Sequence, residues 1–395
     1  VFVAIQDGSP GSARPGGLAS GLRLSGRVCP LGRGRTVDQE GTSVFGRSKP
    51  VAGLDIGSSA VKVVELRPSG RSFKVVAFGT EPVPGDAIVD GAIIDATAVA
   101  GALDRVFAAS GIKTREVAAS LSGNSVIVKK ITLPVMTEAE LSESIQWEAE
   151  QYIPFDIADV NLDYQILSTP PAGARGNMDV LLVAAKKDKI ADYTDVIRQA
   201  GRTPVVVDVD GFAIQNVFEA NYEVQPGAVV ALINAGASGV NMNIVSGGQS
   251  LFTRDISMGG HAFTEALQKE LGLSFDRAER AKRGEPVEDI QAADVAPILR
   301  TVTDNLLLEI QKTLDFFKAT AASDRVDRVL VSGGASRVDG FVEQLSARFG
   351  TPVEWLDPFR RIEFDAAKFG VAGGDEVAAT AAVAVGLALR RAGDR

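Results

Sequence analysis

The chain has 395 residues, of which 45% are hydrophobic and only 6% aromatic, and its formal net charge is −9. This length exceeds the roughly 250–300 residues at which a single hydrophobic core stops growing, so we expect several subdomains in an α/β protein. The negative charge argues against nucleic acid as a main partner, and one Cys with one His excludes an internal disulfide and a zinc site built on Cys or His clusters.

Residues 1–43 differ in composition from the rest of the chain. Gly, Ser, Arg and Pro dominate this segment and apolar periodicity is missing, so we expect it to be disordered. It lacks the apolar core of about 7–15 residues that a signal peptide contains. We therefore predict that this segment lies outside the folded domains.

The first domain is predicted to span residues 44–225 and to contain an insert. From Val51, three alternating strands lead to a linker rich in Pro and Gly, followed by a helix of about 94–110 and a strand of 116–121. Residues of about 125–203 then show the pattern strand, helix, strand, strand, helix. This stretch is compact enough to form an inserted small α+β subdomain.

The first helix of the insert has a clear start. Thr137 is placed as the N-cap, and Glu140, three residues later, completes a capping box. Trp147 lies off the apolar stripe of this helix, and it either is an exposed anchor or packs under the neighbouring strand. The stripe itself consists of Leu141, Ile145 and Ala149.

The second domain is predicted to span residues 226–391. A unit of three strands opens it, and a helical subdomain of about 260–320 follows. A strand and a helix of 338–349 come next, and an apolar helix of about 376–391 ends the fold. The longest apolar stretch, Val377 to Leu389, is rich in Ala and too short to cross a membrane, so we expect a buried helix and no membrane insertion.

Three glycine-centred turns occur in a fixed order at residues 54–59, 233–238 and 330–336. The first two connect strands, and the third follows a strand and opens a helix. Such turns aim backbone N–H groups at one point and can hold phosphates without a large basic site. Each turn alone is weak evidence, because strand–Gly–strand is also ordinary hairpin sequence. Their order in one chain is what indicates a phosphate-binding protein.

The first two turns belong to an internal repeat. An offset of 179 residues relates Asp55 to Asn234 and Gly57 to Gly236, and each copy continues as alternating strands joined by turns. We interpret the repeat as two similar domains that face each other, each with one phosphate turn. The alternative is a chance similarity between two hairpins.

These features resemble the actin and heat-shock chaperone ATPase superfamily, in which two related domains clamp a nucleotide between hairpin turns. Residues 133–155 resemble the signature of the PilM family of type IV pilus assembly, and residues 45–59 resemble the usual start of that family. The resemblance covers about residues 44–391. It implies an actin-like, ribonuclease-H-like two-domain α/β fold with duplicated β-hairpin units. It also suggests that translation begins at Val44, which would make residues 1–43 spurious.

The resemblance implies roles for residues of the first two turns. Asp55 would hold Mg²⁺ through water, and Asn234 would take the place of the second superfamily aspartate at the same ion. Lys62 would contact the nucleotide phosphates. The alternatives are an Asp55 that only caps its turn and a Lys62 on a solvated strand face. The other implied phosphate-binding residues are Gly57, Ser58, Ser59, Gly236, Ala237 and Ser238.

A second group of residues is implied to bind adenosine. Residues 278–283 resemble the chaperone helix in which a Glu and the Lys three positions on bond the ribose, and an Arg stacks on the adenine. A surface ion pair is the alternative for the helix, and a plain strand-to-helix turn is the alternative for the glycines. The implied residues are Glu279, Lys282, Arg283, Gly333, Gly334 and Arg337.

The function that the resemblance implies is an adaptor that binds ATP and Mg²⁺ and is at most a slow ATPase. It would lie in the cytoplasm, peripheral to the inner membrane, with other pilus assembly proteins as partners. In similar proteins a short cytoplasmic peptide of PilN binds between the insert and the first domain. One alternative is an FtsA-like cell-division protein, although the sequence shows no basic amphipathic helix at its end. The other is an active ATPase or sugar kinase, although no phosphoacceptor motif is evident.

Overall fold

The computed structural model describes residues 50–170, 176–320, 325–370 and 374–394. The predictions of a disordered or spurious segment at 1–43 and of a start at Val44 lie outside these residues. Within them, the chain alternates strands and helices in the order expected for an α/β protein.

The elements are numbered here in chain order. The strands are β1 (Ala52–Ile56), β2 (Ala60–Ser69), β3 (Ser72–Pro82), β4 (Ile88–Val89), β5 (Ala92–Ile93), β6 (Glu116–Leu121), β7 (Val126–Pro134), β8 (Val160–Ser168), β9 (Asn177–Lys186), β10 (Thr203–Val209), β11 (Val229–Ala235), β12 (Val240–Ser246), β13 (Gln249–Ile256), β14 (Arg328–Ser332) and β15 (Val353–Trp355). The α-helices are α1 (Ala96–Ser110), α2 (Glu138–Glu150), α3 (Lys187–Gln199), α4 (Asp210–Asn221), α5 (Gly260–Leu271), α6 (Phe275–Lys282), α7 (Ala292–Thr320), α8 (Phe341–Phe349), α9 (Gly374–Thr380) and α10 (Ala382–Ala388).

Two five-stranded sheets have the same strand order. The first runs β3–β2–β1–β6–β10 and the second β13–β12–β11–β14–β15, and in both the first three strands are antiparallel and the last two parallel. We call each sheet with its helices a half of the molecule. The repeated order confirms the internal repeat and shows that the two hairpins are not similar by chance.

The two sheets pack on a shared pair of central helices. Residues of both sheets join α4 and α10 in one hydrophobic cluster, whereas α1 and α3 cover the outer face of the first sheet. Helices α5 to α8 cover the outer face of the second sheet. The close crossing of α4 and α10 requires Gly386, because a Cβ there would lie 1.9 Å from the carbonyl oxygen of Ala213. Helices α4 and α10 therefore form the packed layer between the two sheets.

The predicted helix of 376–391 is two helices, α9 and α10, separated at Ala381. The carbonyl of Ala379 accepts a hydrogen bond from the N–H of Gly333, at 2.7 Å, and this contact with the third glycine turn accompanies the break. Helix α10 packs against β1 and β2. The end of the predicted second domain therefore returns to the first half.

The inserted unit comprises β7, β8, β9 and α2. Its sheet has the order β7–β9–β8, and the apolar stripe of α2 is buried on one face of it. The predicted capping box is confirmed, since Thr137 and Glu140 exchange hydrogen bonds. The side of α2 that carries Trp147 is open, and this residue is 74% exposed. Helix α3, predicted at the end of the insert, packs instead on the outer face of the first sheet.

The helical region of the second half consists of α5, α6 and α7, with a break after α6 that contains Gly284 and Pro286. The helix predicted at 338–349 begins later, at Phe341. A turn of 3₁₀ helix at Gly334–Arg337 precedes it, and Gly340, at φ +76°, is its N-cap. In the described part of the chain, no helix combines the length and the apolar character needed to span a bilayer.

Candidate functional site

A cavity of about 830 Å³ lies between the two halves. Its volume is in the range of pockets that enclose a small-molecule ligand. The structure brings every residue of the predicted site to this one cavity, although their contacts with a nucleotide stay predictions. They are Asp55, Gly57, Ser58, Ser59, Lys62, Asn234, Gly236, Ala237, Ser238, Glu279, Lys282, Arg283, Gly333, Gly334 and Arg337.

The first glycine turn presents an ion pair to the cavity. Asp55 ends β1 and faces Lys62 on β2, whose Nζ lies 3.0 Å from Asp55 Oδ2. Both side chains are about 15% exposed, so the alternative of a solvated Lys62 is wrong. The N–H of Gly57 donates to the carbonyl of Ala60 rather than to the Asp55 carboxylate. The carboxylate and the ammonium group therefore neutralise each other at the point where the turn opens.

The second glycine turn has two amide side chains at the positions that correspond to Asp55 and Lys62 of the first turn. Asn234 ends β11 and faces Asn241 on β12, to which its Nδ2 donates at 3.1 Å. The amide oxygen of Asn234 accepts from the hydroxyl of Ser332 at 3.4 Å. Asn241 in turn donates to Asp255 at 2.9 Å. Because Asn234 and Asn241 are neutral amides, this pair brings no formal charge to the cavity.

Asp210 is a cavity residue that the sequence analysis missed. It begins α4, is partly buried, and accepts a hydrogen bond from the hydroxyl of Ser120 at 2.5 Å. Burial, with the nearby charge of Asp55, raises its pKa to about 7. The signal available in the sequence was an acidic residue directly after a β-rich apolar run, at the point where a strand passes into a helix.

Asp255 on β13 is a second missed residue. One carboxylate oxygen accepts from Asn241 and the other from the backbone N–H of Gly123, which lies in the first half. Burial raises its pKa, and these hydrogen bonds oppose the rise. Both oxygens accept hydrogen bonds, one from each half, so Asp255 links the two halves at the cavity.

The carboxylates of the cavity suit a magnesium ion that arrives with phosphates. Asp55 and Asp210 are close enough for one charge to raise the pKa of the other, and a cation would relieve this repulsion. Among the described residues, no group of three or more His, Cys, Asp or Glu could hold a metal by itself. Mg²⁺ bound with a nucleotide takes one or two carboxylates and fills its other positions with phosphate oxygens and water, so the residues fit that ion.

On the far side of the cavity, α6 presents a second ion pair. Lys282 Nζ lies 2.5 Å from Glu279 Oε1 and also donates to the Thr264 hydroxyl at 2.9 Å, while that hydroxyl donates to Glu279. Burial lowers the pKa of Lys282. Burial raises the pKa of Glu279, but the charge of Lys282 and the hydrogen bonds outweigh it and leave that pKa lowered. The two side chains are 12% and 17% exposed, so the alternative of a solvated surface pair is wrong.

Glycine at 333 is required by local packing. At φ +91°, a Cβ on Gly333 would lie 2.2 Å from the carbonyl oxygen of Ala235 on β11. A Cβ on Gly334 would meet nothing closer than 3.7 Å, so that residue is not constrained in the same way. Arg283 and Arg337 also line the cavity and are both exposed, the Arg283 side chain to 57%.

The chain matches one protein family and resembles several solved structures. Residues 53–392 match the family model described as type IV pilus assembly protein PilM. A chain of a solved PilM–PilN type IV pilus biogenesis complex shares 29% sequence identity, with a TM-score of 0.77 over 87% of this chain and 99% of that chain. The ethanolamine utilization protein EutJ from Carboxydothermus hydrogenoformans shares only the fold, at 14% identity and a TM-score of 0.50 over 87% of this chain and 92% of that chain.

Proposed function

The chain belongs to the type IV pilus assembly protein PilM family, and from this membership we propose that it is an ATP-binding adaptor of the pilus assembly machinery. The predicted actin-like fold is confirmed by the match to the solved PilM–PilN complex and by the repeated strand order of the two sheets. In the proposal the protein lies in the cytoplasm and is held at the inner membrane by a PilN-like partner. Nucleotide acts as a ligand that shifts the affinity for partners.

The observation that carries the proposal is the convergence of three glycine turns and α6 on one cavity. On nucleotide binding, Lys62 would leave Asp55 for the phosphates, and Asp55 would hold Mg²⁺ through water. The ion supplies charge neutralisation at the phosphates. The protein has a net charge of −9, so it needs positive charge close to the phosphates, such as Mg²⁺ and the Lys62 ammonium group, to hold a polyanion. Glu279 and Lys282 would bond the ribose.

The partner assignment rests on the family and on the resemblance to a chain of a PilM–PilN complex. We expect a short cytoplasmic segment of a PilN-like membrane protein to bind between the inserted unit and the first half. Extended segments in such grooves bind through main-chain hydrogen bonds and side-chain pockets. Other pilus assembly proteins would be recruited to the same complex.

Slow ATP hydrolysis is a second candidate activity, and Asp210 is the residue that favours it. Asp210 lines the cavity near Asp55, where a carboxylate could accept the proton of an attacking water. We expect Asp210→Asn to reduce whatever Mg-dependent turnover the wild type has. A wild-type rate above about 1 s⁻¹, the low end for dedicated phosphoryl-transfer enzymes, would contradict the adaptor role.

Calorimetry on the purified protein tests the proposal. ATP with Mg²⁺ should bind at one site per chain, and a synthetic peptide of the cytoplasmic segment of the PilN-like protein should bind at another. Cell fractionation tests the location: membrane association should disappear in cells that lack the PilN-like protein. Absence of nucleotide binding, or membrane association that persists without any other pilus protein, would overturn the proposal.

A further inference from the structure

The first turn of α4 touches three parts of the molecule with three consecutive residues. Asp210 lines the cavity. The carbonyl of Gly211 accepts a hydrogen bond from the amide of Asn243, at 2.9 Å, and so connects the turn to β12 of the second half. Phe212 packs on the inserted unit. A helical turn is rigid, so these three contacts are mechanically joined.

The contact with the second half is well fixed. Asn243 is 1% exposed, and its Nδ2 also donates to Gln215 Oε1, at 3.1 Å, one turn further along α4. Its amide oxygen accepts from the hydroxyl of Ser250 at 2.7 Å. Because the buried amide is satisfied on both ends, displacing α4 relative to β12 would break hydrogen bonds in a buried environment.

The contact with the inserted unit is apolar. Phe212 forms a small cluster with Leu181 and Val183 on the central strand β9. The neighbouring residues Val180 and Leu182 point to the opposite face, where α2 lies. Phe212 therefore supports the sheet of the inserted unit from the side that α2 does not cover.

We propose that this turn, Asp210–Phe212, couples occupancy of the cavity to the position of the inserted unit and so to the affinity for the PilN-like segment. The inference rests on the proposed function, because it needs a nucleotide in the cavity and a partner at the insert. A cation and phosphates placed beside Asp210 interact with its carboxyl group directly. Any shift of Asp210 that follows must be shared by Phe212, since close-packed turns move as units.

The test measures the affinity for the partner segment with and without nucleotide. The probe is a fluorescent synthetic peptide of the cytoplasmic segment of the PilN-like protein, and the nucleotide is AMPPNP with Mg²⁺. In the wild type we expect the dissociation constant of the peptide to change about fivefold or more on addition of nucleotide. Phe212→Leu should reduce this ratio to less than about twofold and leave the affinity for nucleotide within about twofold of the wild type.

Phe218→Leu is the matched control. Phe218 lies on the same helix and is also buried, but it stacks on Tyr222 at 5.7 Å and belongs to the core between the sheets. This variant should lose comparable packing and keep the wild-type ratio. If Phe212→Leu does not fold, Asn243→Ala removes the other contact of the turn and should reduce the ratio in the same way.

The outcomes separate the two levels of the argument. A wild type that binds no nucleotide or no peptide contradicts the proposed function, and the coupling falls with it. A wild type that binds both with a ratio near one contradicts the coupling alone. The coupling is also contradicted if Phe212→Leu keeps the wild-type ratio of peptide affinities, or if the control Phe218→Leu reduces that ratio as much as Phe212→Leu does.

Discussion

The first and second glycine turns have the same backbone arrangement and different charges. In the first, Asp55 faces Lys62 at 3.0 Å, and in the second, Asn234 faces Asn241 at 3.1 Å. The offset of 179 residues relates the two pairs position by position. The two turns therefore share their backbone hydrogen bond, from the N–H of Gly57 to Ala60 and from the N–H of Gly236 to Gly239, whereas only the first turn carries a pair of charged side chains.

Two further carboxylates of the cavity, Asp210 and Asp255, extend this difference. Asp210, in the first half, is near Asp55 and lines the cavity, whereas Asp255, in the second half, has both oxygens engaged in hydrogen bonds. We infer that phosphates can be held from both halves, but that a metal ion is held from the first half alone. The four predictions below test this asymmetry.

The largest effect is expected from removing the charge of Asp210. The unfolded chain loses this proton near its ordinary pKa of 3.8, whereas the folded protein keeps it up to about pH 7. The folded state therefore binds more protons between these pH values, and its free energy of unfolding falls as the pH rises through that window. Asp210→Asn should remove this loss and raise the free energy of unfolding at pH 8 by on the order of 2–4 kcal/mol.

Urea denaturation in EDTA without nucleotide, at pH 5 and pH 8, measures this effect. Asp255→Asn is the control in the second half. Its new NH₂ group would face the Gly123 N–H or the Asn241 amide, so this variant should be less stable than the wild type at both pH values. The asymmetry would be contradicted if Asp255→Asn raised the free energy of unfolding at pH 8. It would also be contradicted if Asp210→Asn did not raise it.

The second prediction concerns the metal directly. Asp55→Ala should weaken the binding of ATP with Mg²⁺ about 10–100-fold, because it removes the carboxylate proposed to hold the ion through water. Binding of ATP in EDTA should change much less. The two affinities can be measured by calorimetry.

Asn234→Ala is the matched variant in the second turn. Since Asn234 carries no charge and already bonds to Asn241 and Ser332, its removal should cost less than about threefold in affinity for ATP with Mg²⁺. Equal losses for Asp55→Ala and Asn234→Ala would contradict a one-sided metal site. An equal loss for Asp55→Ala with and without Mg²⁺ would remove the metal role from Asp55.

The third prediction restores the missing charge. Asn234→Asp should raise Mg-dependent ATP turnover about tenfold, because a second carboxylate would help to orient the ion and its waters. Phosphate release by the purified variant, compared with that of Asn234→Ala, gives the answer. Turnover equal to that of the wild type would mean that Asn234 only stabilises its hairpin, and an unchanged circular dichroism spectrum would show that the fold is retained.

The glycine turns and the capping box of α2 could be predicted because local sequence determines them. Asp210 was missed as a cavity residue because the sequence places it only at a helix start, whereas its position near Asp55 and its raised pKa depend on segments distant in sequence. The break between α9 and α10 was missed for a similar reason, because the Ala379 carbonyl bonds to Gly333 of another element. The sequence therefore identified the turns and the residues that line the cavity, but it missed these two features, which depend on contacts between distant segments.

The smallest effect is expected at α6, away from both turns. Lys282→Ala removes one proposed ribose contact and should weaken ATP binding about two- to tenfold, the usual range for one hydrogen bond. Binding of inorganic triphosphate with Mg²⁺ should stay unchanged, because the phosphates are assigned to the glycine turns. Competition calorimetry with the two ligands measures both affinities. If Lys282→Ala weakened triphosphate as much as ATP, Lys282 would be a phosphate ligand of the second half, and the charge difference between the halves would be smaller than the turns alone indicate.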